Sequence, residues 1–533
     1  MKRRQFIGAT VATGLSASIA PGAGTVRAAD RAAFDNFELN ELTVAALQEG
    51  MTAGRWTARR LVELYRGRID AIDKRGPAIN AVVELNPDAL AIANGLDAER
   101  RAGKVRGPLH GIPVLIKDNI DTADRMQTTA GALALAGSIA PRDAFIVERL
   151  RAAGAVLLGK TNLSEWANFR SRPSSSGWSG RGGQTRNPYA LNRSPCGSSS
   201  GSGSAGAANL AAVTIGTETD GSILCPSSVN GLVGIKPTVG LWSRSGIIPI
   251  SHSQDTAGPM CRTVADAAVL LGALTGVDPR DSATEASRGR ALSDYRQALD
   301  ANALRGARIG VVRRHINVAA KGNAVFEEAV AALKRAGADL VDPTDFEAPA
   351  ALGAAEGTVL HYEFKAGVEA YLATLGGRVP HRTLADIIAF NKANAAREGS
   401  TFGQESLERA AALGDLSSQE YLDALATSRR LSRDEGIDAL LARHQVEALV
   451  AITTGPSWPI DHVSGDRFGG GSSTWAAVAG YPAITVPMGM IQGLPIGLSF
   501  MGPAWSEARL IGLAYAFEQA TKARRAPTFQ PVI

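Results

Sequence analysis

Eight short apolar runs, punctuated by glycine and proline, constrain this chain more than any other feature: residues 113–116, 155–158, 212–215, 231–235, 308–312, 448–452, 483–486 and 496–500. Runs this short, without polar alternation, suit strands buried on both faces. Between them lie helical patterns at 143–153, 202–211 and 264–272. Strands and helices alternating in this way imply an α/β fold: a large mixed, mostly parallel central sheet covered by helices on both faces. Two amphipathic helices come earlier. The second has Leu61, Leu64, Tyr65, Ile69 and Ile72 on one stripe with arginines opposite, the period of a helix lying on a core. From about 281 to 443 the chain is richer in Ala, Arg and Glu and poorer in apolar runs, so a mainly helical elaboration is expected there. With no long polar linker and no repeat, residues 29–533 read as one domain.

The first 28 residues read as a targeting peptide. Lys2, Arg3 and Arg4 precede an apolar stretch from Phe6 to Ala20, and small residues follow around Ala28. The adjacent arginines before Gln5, Phe6 and Ile7 resemble a twin-arginine export signal, so a periplasmic or secreted protein is expected. The stretch is short and interrupted by Thr10, Thr13, Ser16 and Ser18, which argues against a membrane anchor. Removing this segment takes away four of the 56 Lys+Arg and none of the 51 Asp+Glu. A chain so close to neutral offers little to nucleic acid or an anionic membrane, and neither is expected as a partner.

Three motif matches fail on context. Gly154, Gly159, Lys160 and Thr161 fit the phosphate-loop pattern, but Ala155, Val156, Leu157 and Leu158 between them favour a strand over a bent loop of free N–H groups. Gly201, Gly203 and Gly206 fit the dinucleotide fingerprint, with Asp220 downstream, yet no apolar strand precedes them. Gly197, Ser199 and Gly201 imitate the nucleophile elbow of the α/β-hydrolases, which also needs a preceding strand and a histidine. Of His252, His315, His361, His381, His444 and His462, only His462, close to Asp461, is a candidate for that part.

Three further segments carry chemistry. Lys117 closes the run 111–116 and precedes Asp118 and Asn119. A lysine at the end of a buried strand is costly to keep charged, and its ordinary explanation is a pair with Asp118. Residues 194–204 are nearly all Ser and Gly, yet they lead straight into an Ala-rich helix. Hydroxyls and glycines at a helix entrance suit close backbone approach. Third, the strand 212–215 runs through Gly216, Thr217, Glu218, Thr219, Asp220 and Gly221 to Ser222. A serine after a glycine-flanked turn at a strand end can meet a carbonyl while successive N–H groups point at one spot, the geometry of an oxyanion hole.

Together these segments resemble the amidase signature family, and within it the peptide amidases at residues 196–203 and 218–223. Ser198 and Ser222 stand 24 residues apart, as in the family pattern, and Lys117 has the matching Lys-Asp-Asn context. The likeness continues through 231–238, 254–260 and 469–487. Asp220 departs from it, since many members have glycine there. The resemblance implies an amidohydrolase whose catalytic residues are Lys117 as base, Ser198 as relay after a cis peptide bond, and Ser222 as nucleophile. The backbone N–H groups of Thr219, Asp220, Gly221 and Ser222 would form the oxyanion hole, and Trp458 and Asp461 would lie near the substrate. No metal or organic cofactor is implied. The expected partner is a small-molecule or peptide amide; aryl-amide, carbamate or ester hydrolysis, and binding without catalysis, are the alternatives. Cys196, Cys225 and Cys261 have no metal-ligand spacing; buried free thiols are expected, with a Cys196–Cys225 bridge conceivable after export.

Overall fold

The computed structural model describes residues 36–313, 320–345, 349–399 and 401–533. The expected signal at 1–28 and His315 lie outside them. Thirteen strands occur among the described residues: β1 (Val82–Leu85), β2 (Pro113–Lys117), β3 (Val156–Thr161), β4 (Trp178–Ser179), β5 (Gly183–Gln184), β6 (Val213–Glu218), β7 (Val233–Lys236), β8 (Thr256–Cys261), β9 (Arg308–Val311), β10 (Asp339–Val341), β11 (Ala448–Ile452), β12 (Ala483–Ile491) and β13 (Leu494–Met501). Every one of the eight apolar runs contributes to a strand.

All but β4 and β5 form one 11-stranded sheet in the order β1-β3-β2-β6-β8-β7-β12-β13-β11-β9-β10. The sheet is mixed. Parallel pairs lie towards its flanks, in β3-β2-β6 and β11-β9-β10, while the strands from β6 across to β11 pair antiparallel. The direction is set by the connections. Gln492 and Gly493 join β12 to β13 in a two-residue turn, which only an antiparallel pair accepts.

Alternate residues of a strand face opposite sides of a sheet. In β11, Ala448, Val450 and Ile452 enter the largest apolar cluster, while Leu449 and Ala451 enter another with Trp475 and Val478. Both faces are therefore covered, which is why the runs read as continuously apolar. The helix Ala58–Arg68 and its continuation bury Leu61, Tyr65, Ile69 and Ile72 in the main cluster. Between β10 and β11 the described chain is helical, with Ala350–Thr374 the longest helix. That helix buries Phe364, Val368 and Leu372 against Leu163 and Trp166, which stand close to the chemistry-bearing segments. Among the described residues, no helix is long and apolar enough to cross a membrane.

Candidate active site

Lys117 ends β2 and residues 217–218 end β6, and the two strands are parallel neighbours with Ile116 beside Ile215. Their carboxyl ends therefore open at the same edge of the sheet, where ligands gather in α/β folds. The Ser/Gly segment completes this edge by becoming a helix, Ser200–Ala207, which starts within the segment itself. Its glycines serve packing. A Cβ at Gly201 would stand 2.3 Å from the Ala81 carbonyl oxygen and 2.4 Å from that of Asn162. The backbone lies that close because Ser202 Oγ bonds the Ile215 carbonyl at 2.9 Å and Thr161 Oγ1 at 2.8 Å. This explains the glycines that imitate a dinucleotide fingerprint. The phosphate-loop match likewise falls on β3, with Lys160 buried and bonded to the Ile120 carbonyl at 2.6 Å.

Lys117 is 0 % exposed. Its Nζ lies 2.8 Å from Ser198 Oγ, 3.1 Å from Ser199 Oγ, 2.8 Å from Thr217 Oγ1 and 3.2 Å from the Thr217 carbonyl oxygen. The ordinary explanation for this lysine fails, because Asp118 is engaged by Arg181 at 3.0 Å and by the Thr129 hydroxyl. Burial draws the Lys117 ammonium down to about 7, against the more distant pull of Asp255 and Glu218. The peptide bond between Gly197 and Ser198 is cis. Ser199, the serine of the elbow-like match, accepts from the Thr217 N–H at 3.1 Å and donates to the Thr217 carbonyl at 2.9 Å. Among the described residues no histidine hydrogen-bonds Ser198, Ser199 or Ser222; His462 is exposed and reaches Gln184 at 2.8 Å.

Ser222 is tied to this group through its carbonyl, which accepts from the Ser199 N–H at 3.3 Å. Ser222 as a whole is 7 % exposed. Gly221 has φ +76°, a left-handed turn that glycine adopts without steric cost. Among the described residues, the N–H groups of Thr219, Asp220, Gly221 and Ser222 have no acceptor. The shape of the turn comes instead from side chains. Glu218 accepts from the N–H groups of Ile223 and Leu224 at 2.7 and 2.9 Å, and Asp220 accepts from Ser473 and Thr474 at 2.5 and 2.7 Å. A cavity of about 440 Å³ reaches the turn at Thr219, with Asn119, Thr217, Asp255, Tyr371 and Arg244 also in its lining. Among the described residues no cluster of His, Cys, Asp and Glu is arranged to hold a metal ion.

The cysteines require a correction. Cys196 and Cys225 form a disulfide, with Cα atoms 6.1 Å apart, and only Cys261 is a buried free thiol. The fold brings together the residue two before Ser198 and the residue three after Ser222, a proximity that a separation of 29 residues does not reveal. Trp458 packs on this bridge and donates to Asp466 at 2.8 Å. Asp461 is occupied locally, accepting from the N–H groups of Val463 and Ser464 at 2.9 Å each. Sequence reasoning missed Asp255 and Glu356. Asp255 lay inside a resembling segment without a role, and Glu356 comes from a distant helix that gave no signal.

Comparison with known proteins accords with this geometry. The model of the Amidase family matches residues 60–511. An Arabidopsis thaliana protein described as a probable amidase is 43% identical over 502 residues, covering 92% of both chains. A Chloroflexus aurantiacus component of the glutamyl-tRNA(Gln) amidotransferase is 36% identical, over 91% of this chain and 98% of its own. The crystal structure of native peptide amidase from Stenotrophomonas maltophilia superimposes with a TM-score of 0.88 at 57% identity, over 92% of this chain and 99% of that one. The chain therefore belongs to the amidase family, the amidase signature hydrolases of carbon–nitrogen amide bonds.

Proposed function

We propose that this amidase removes the C-terminal amide of peptides, through an acyl-enzyme on Ser222 with Ser198 as relay and Lys117 as base. The observation that carries the mechanism is the bed of hydroxyls around a fully buried amine, with no carboxylate among the described residues in hydrogen-bonding reach of Lys117. An ordinary lysine, near ~10.4, is charged at neutral pH and cannot accept a proton; at about 7 a large share is neutral. Ser199 already donates to the Thr217 carbonyl, so it can only accept from Lys117. Among the described residues the Ser198 hydroxyl meets only Lys117, so its hydrogen is free for the amine.

The Ser222 oxygen attacks the amide carbon as its proton passes to Ser198 and the Ser198 proton to Lys117. The carbonyl oxygen, now anionic, takes up the free N–H groups of the turn 219–222, where one donor contributes on the order of 3 kcal/mol. The proton then returns through Ser198 to the nitrogen, the carbon–nitrogen bond breaks, and ammonia leaves an ester on Ser222. Water repeats the sequence and releases the acid.

The peptide substrate rests on the 57% identity to a peptide amidase across nearly the whole chain. Export rests on the arginine pair at the start of the sequence, and the Cys196–Cys225 bridge suits an oxidising compartment. The test is ammonia release from a panel of C-terminally amidated peptides, run beside anilides, carbamates and esters. Amidated peptides should have the highest kcat/KM, and Ser222→Ala should abolish turnover with the fold intact. A preference for anilides or esters overturns the substrate assignment, and turnover by Ser222→Ala overturns the nucleophile.

A further inference from the structure

A four-residue turn is often closed by its own backbone hydrogen bond. The turn 219–222 has none, and its four N–H groups face no acceptor among the described residues. Such a turn keeps one shape only if other groups hold it. Three sets of side chains do so. Thr219 donates its hydroxyl to Asp255 Oδ1 at 2.5 Å, and Asp255 is itself fixed by the N–H groups of Ile250 and Ser251 at 2.8 and 2.9 Å. Gln254 Nε2 donates to the Thr219 carbonyl at 3.3 Å and to Glu356 Oε1 at 3.0 Å. Asp220 is gripped by Ser473 and Thr474, and the same Ser473 hydroxyl lies 3.0 Å from where a Cβ on Gly221 would stand.

We propose that Asp220, Asp255 and Gln254, the last anchored by Glu356, are positioning residues that shape the turn from outside and leave its N–H groups aimed at the oxygen of the tetrahedral intermediate. The inference rests on the reading of this turn as the oxyanion hole. It gives Asp220 a purpose at the turn. A glycine there would leave Ser473 and Thr474 without the acceptor that ties them to the turn.

The experiment uses the smallest deletions available. Thr219→Val removes only the hydroxyl that meets Asp255, and Ser473→Ala only one that meets Asp220; Gln254→Ala is the third variant. Each is assayed for kcat and KM on an amidated peptide. Binding is measured for the corresponding peptide aldehyde, whose adduct with a serine is tetrahedral, and for the peptide acid, which is trigonal. Losing one donor of such a hole costs about 10²–10³ in kcat, and misaiming is expected to cost about 10- to 100-fold. KM should stay within about threefold. Aldehyde affinity should fall in step with kcat while acid affinity holds. Wild-type kcat in all three variants, or equal losses of aldehyde and acid affinity, overturns the proposal. Ser222→Ala in parallel separates the two ideas: if it turns over, the nucleophile reading fails, whereas an inactive Ser222→Ala beside wild-type-like Thr219→Val, Ser473→Ala and Gln254→Ala removes the bracing alone.

Discussion

Three lysines sit at or next to the ends of apolar strands, and all three are fully buried: Lys117, Lys160 and Lys236. Their surroundings separate them. Lys160 meets the Ile120 carbonyl and the Thr128 hydroxyl with Asp118 and Asp121 nearby, and Lys236 meets the Pro237 carbonyl with Glu218 and Glu507 nearby. Only Lys117 lies among three hydroxyls. The mechanism proposed above requires it neutral, so activity should rise as pH climbs through about 7 and level off above. A limb near the free-lysine value of ~10.4 contradicts the buried base. Because Asp255 pulls the Lys117 value upward against burial, Asp255→Asn should move this limb below that of the wild type, as read from the pH profile of kcat/KM. The sequence exposed Lys117 through the company of two serine-bearing segments. It could not reveal Thr217 or Ser199 as its neighbours, since these contacts exist only once β2, β6 and the helix Ser200–Ala207 converge.

At the scale of the element, the Ser/Gly helix sets two effects against each other. Alanine in place of a helical glycine gains up to about 1 kcal/mol from propensity. At Gly201 the new methyl would press on two backbone carbonyls at 2.3 and 2.4 Å, neither able to swing aside, and overpacking of this kind costs about 1–3 kcal/mol. Gly201→Ala is therefore expected to destabilise, as a lower midpoint in urea with an unchanged slope. Apolar runs located the strands well but said little of their direction, which depends on connections. They also missed β8, whose Gly258 and Pro259 argue against a strand. The glycine is required because a Cβ there would meet the Ile235 carbonyl at 2.0 Å. β1 and β10 were missed because they are short and partly exposed strands at the two edges of the sheet.

Across the whole molecule, one covalent link joins the segment before Ser198 to the helix after Ser222. Closing a loop of 29 residues is worth about 3–4 kcal/mol in the chain-entropy account. The double variant Cys196→Ser, Cys225→Ser should lose about that much unfolding free energy, measured by denaturant titration against the oxidised parent. A loss below about 1 kcal/mol contradicts this role for the bridge. Trp458 packs on the same link. The helical region packs its own cluster against Trp166 and Leu163 and sends Glu356 towards the turn after β6, so the sheet and the helical region meet beside the proposed reacting groups.

The hydroxyls of Ser198, Ser199 and Thr217 each hang from a single carbon–oxygen bond while their oxygens stay fixed around the Lys117 nitrogen. Charging or discharging that nitrogen thus asks only that hydrogens swivel. No side chain has to travel and no solvent has to enter, so on the proposed mechanism the resting protein already has the layout that the charged state needs.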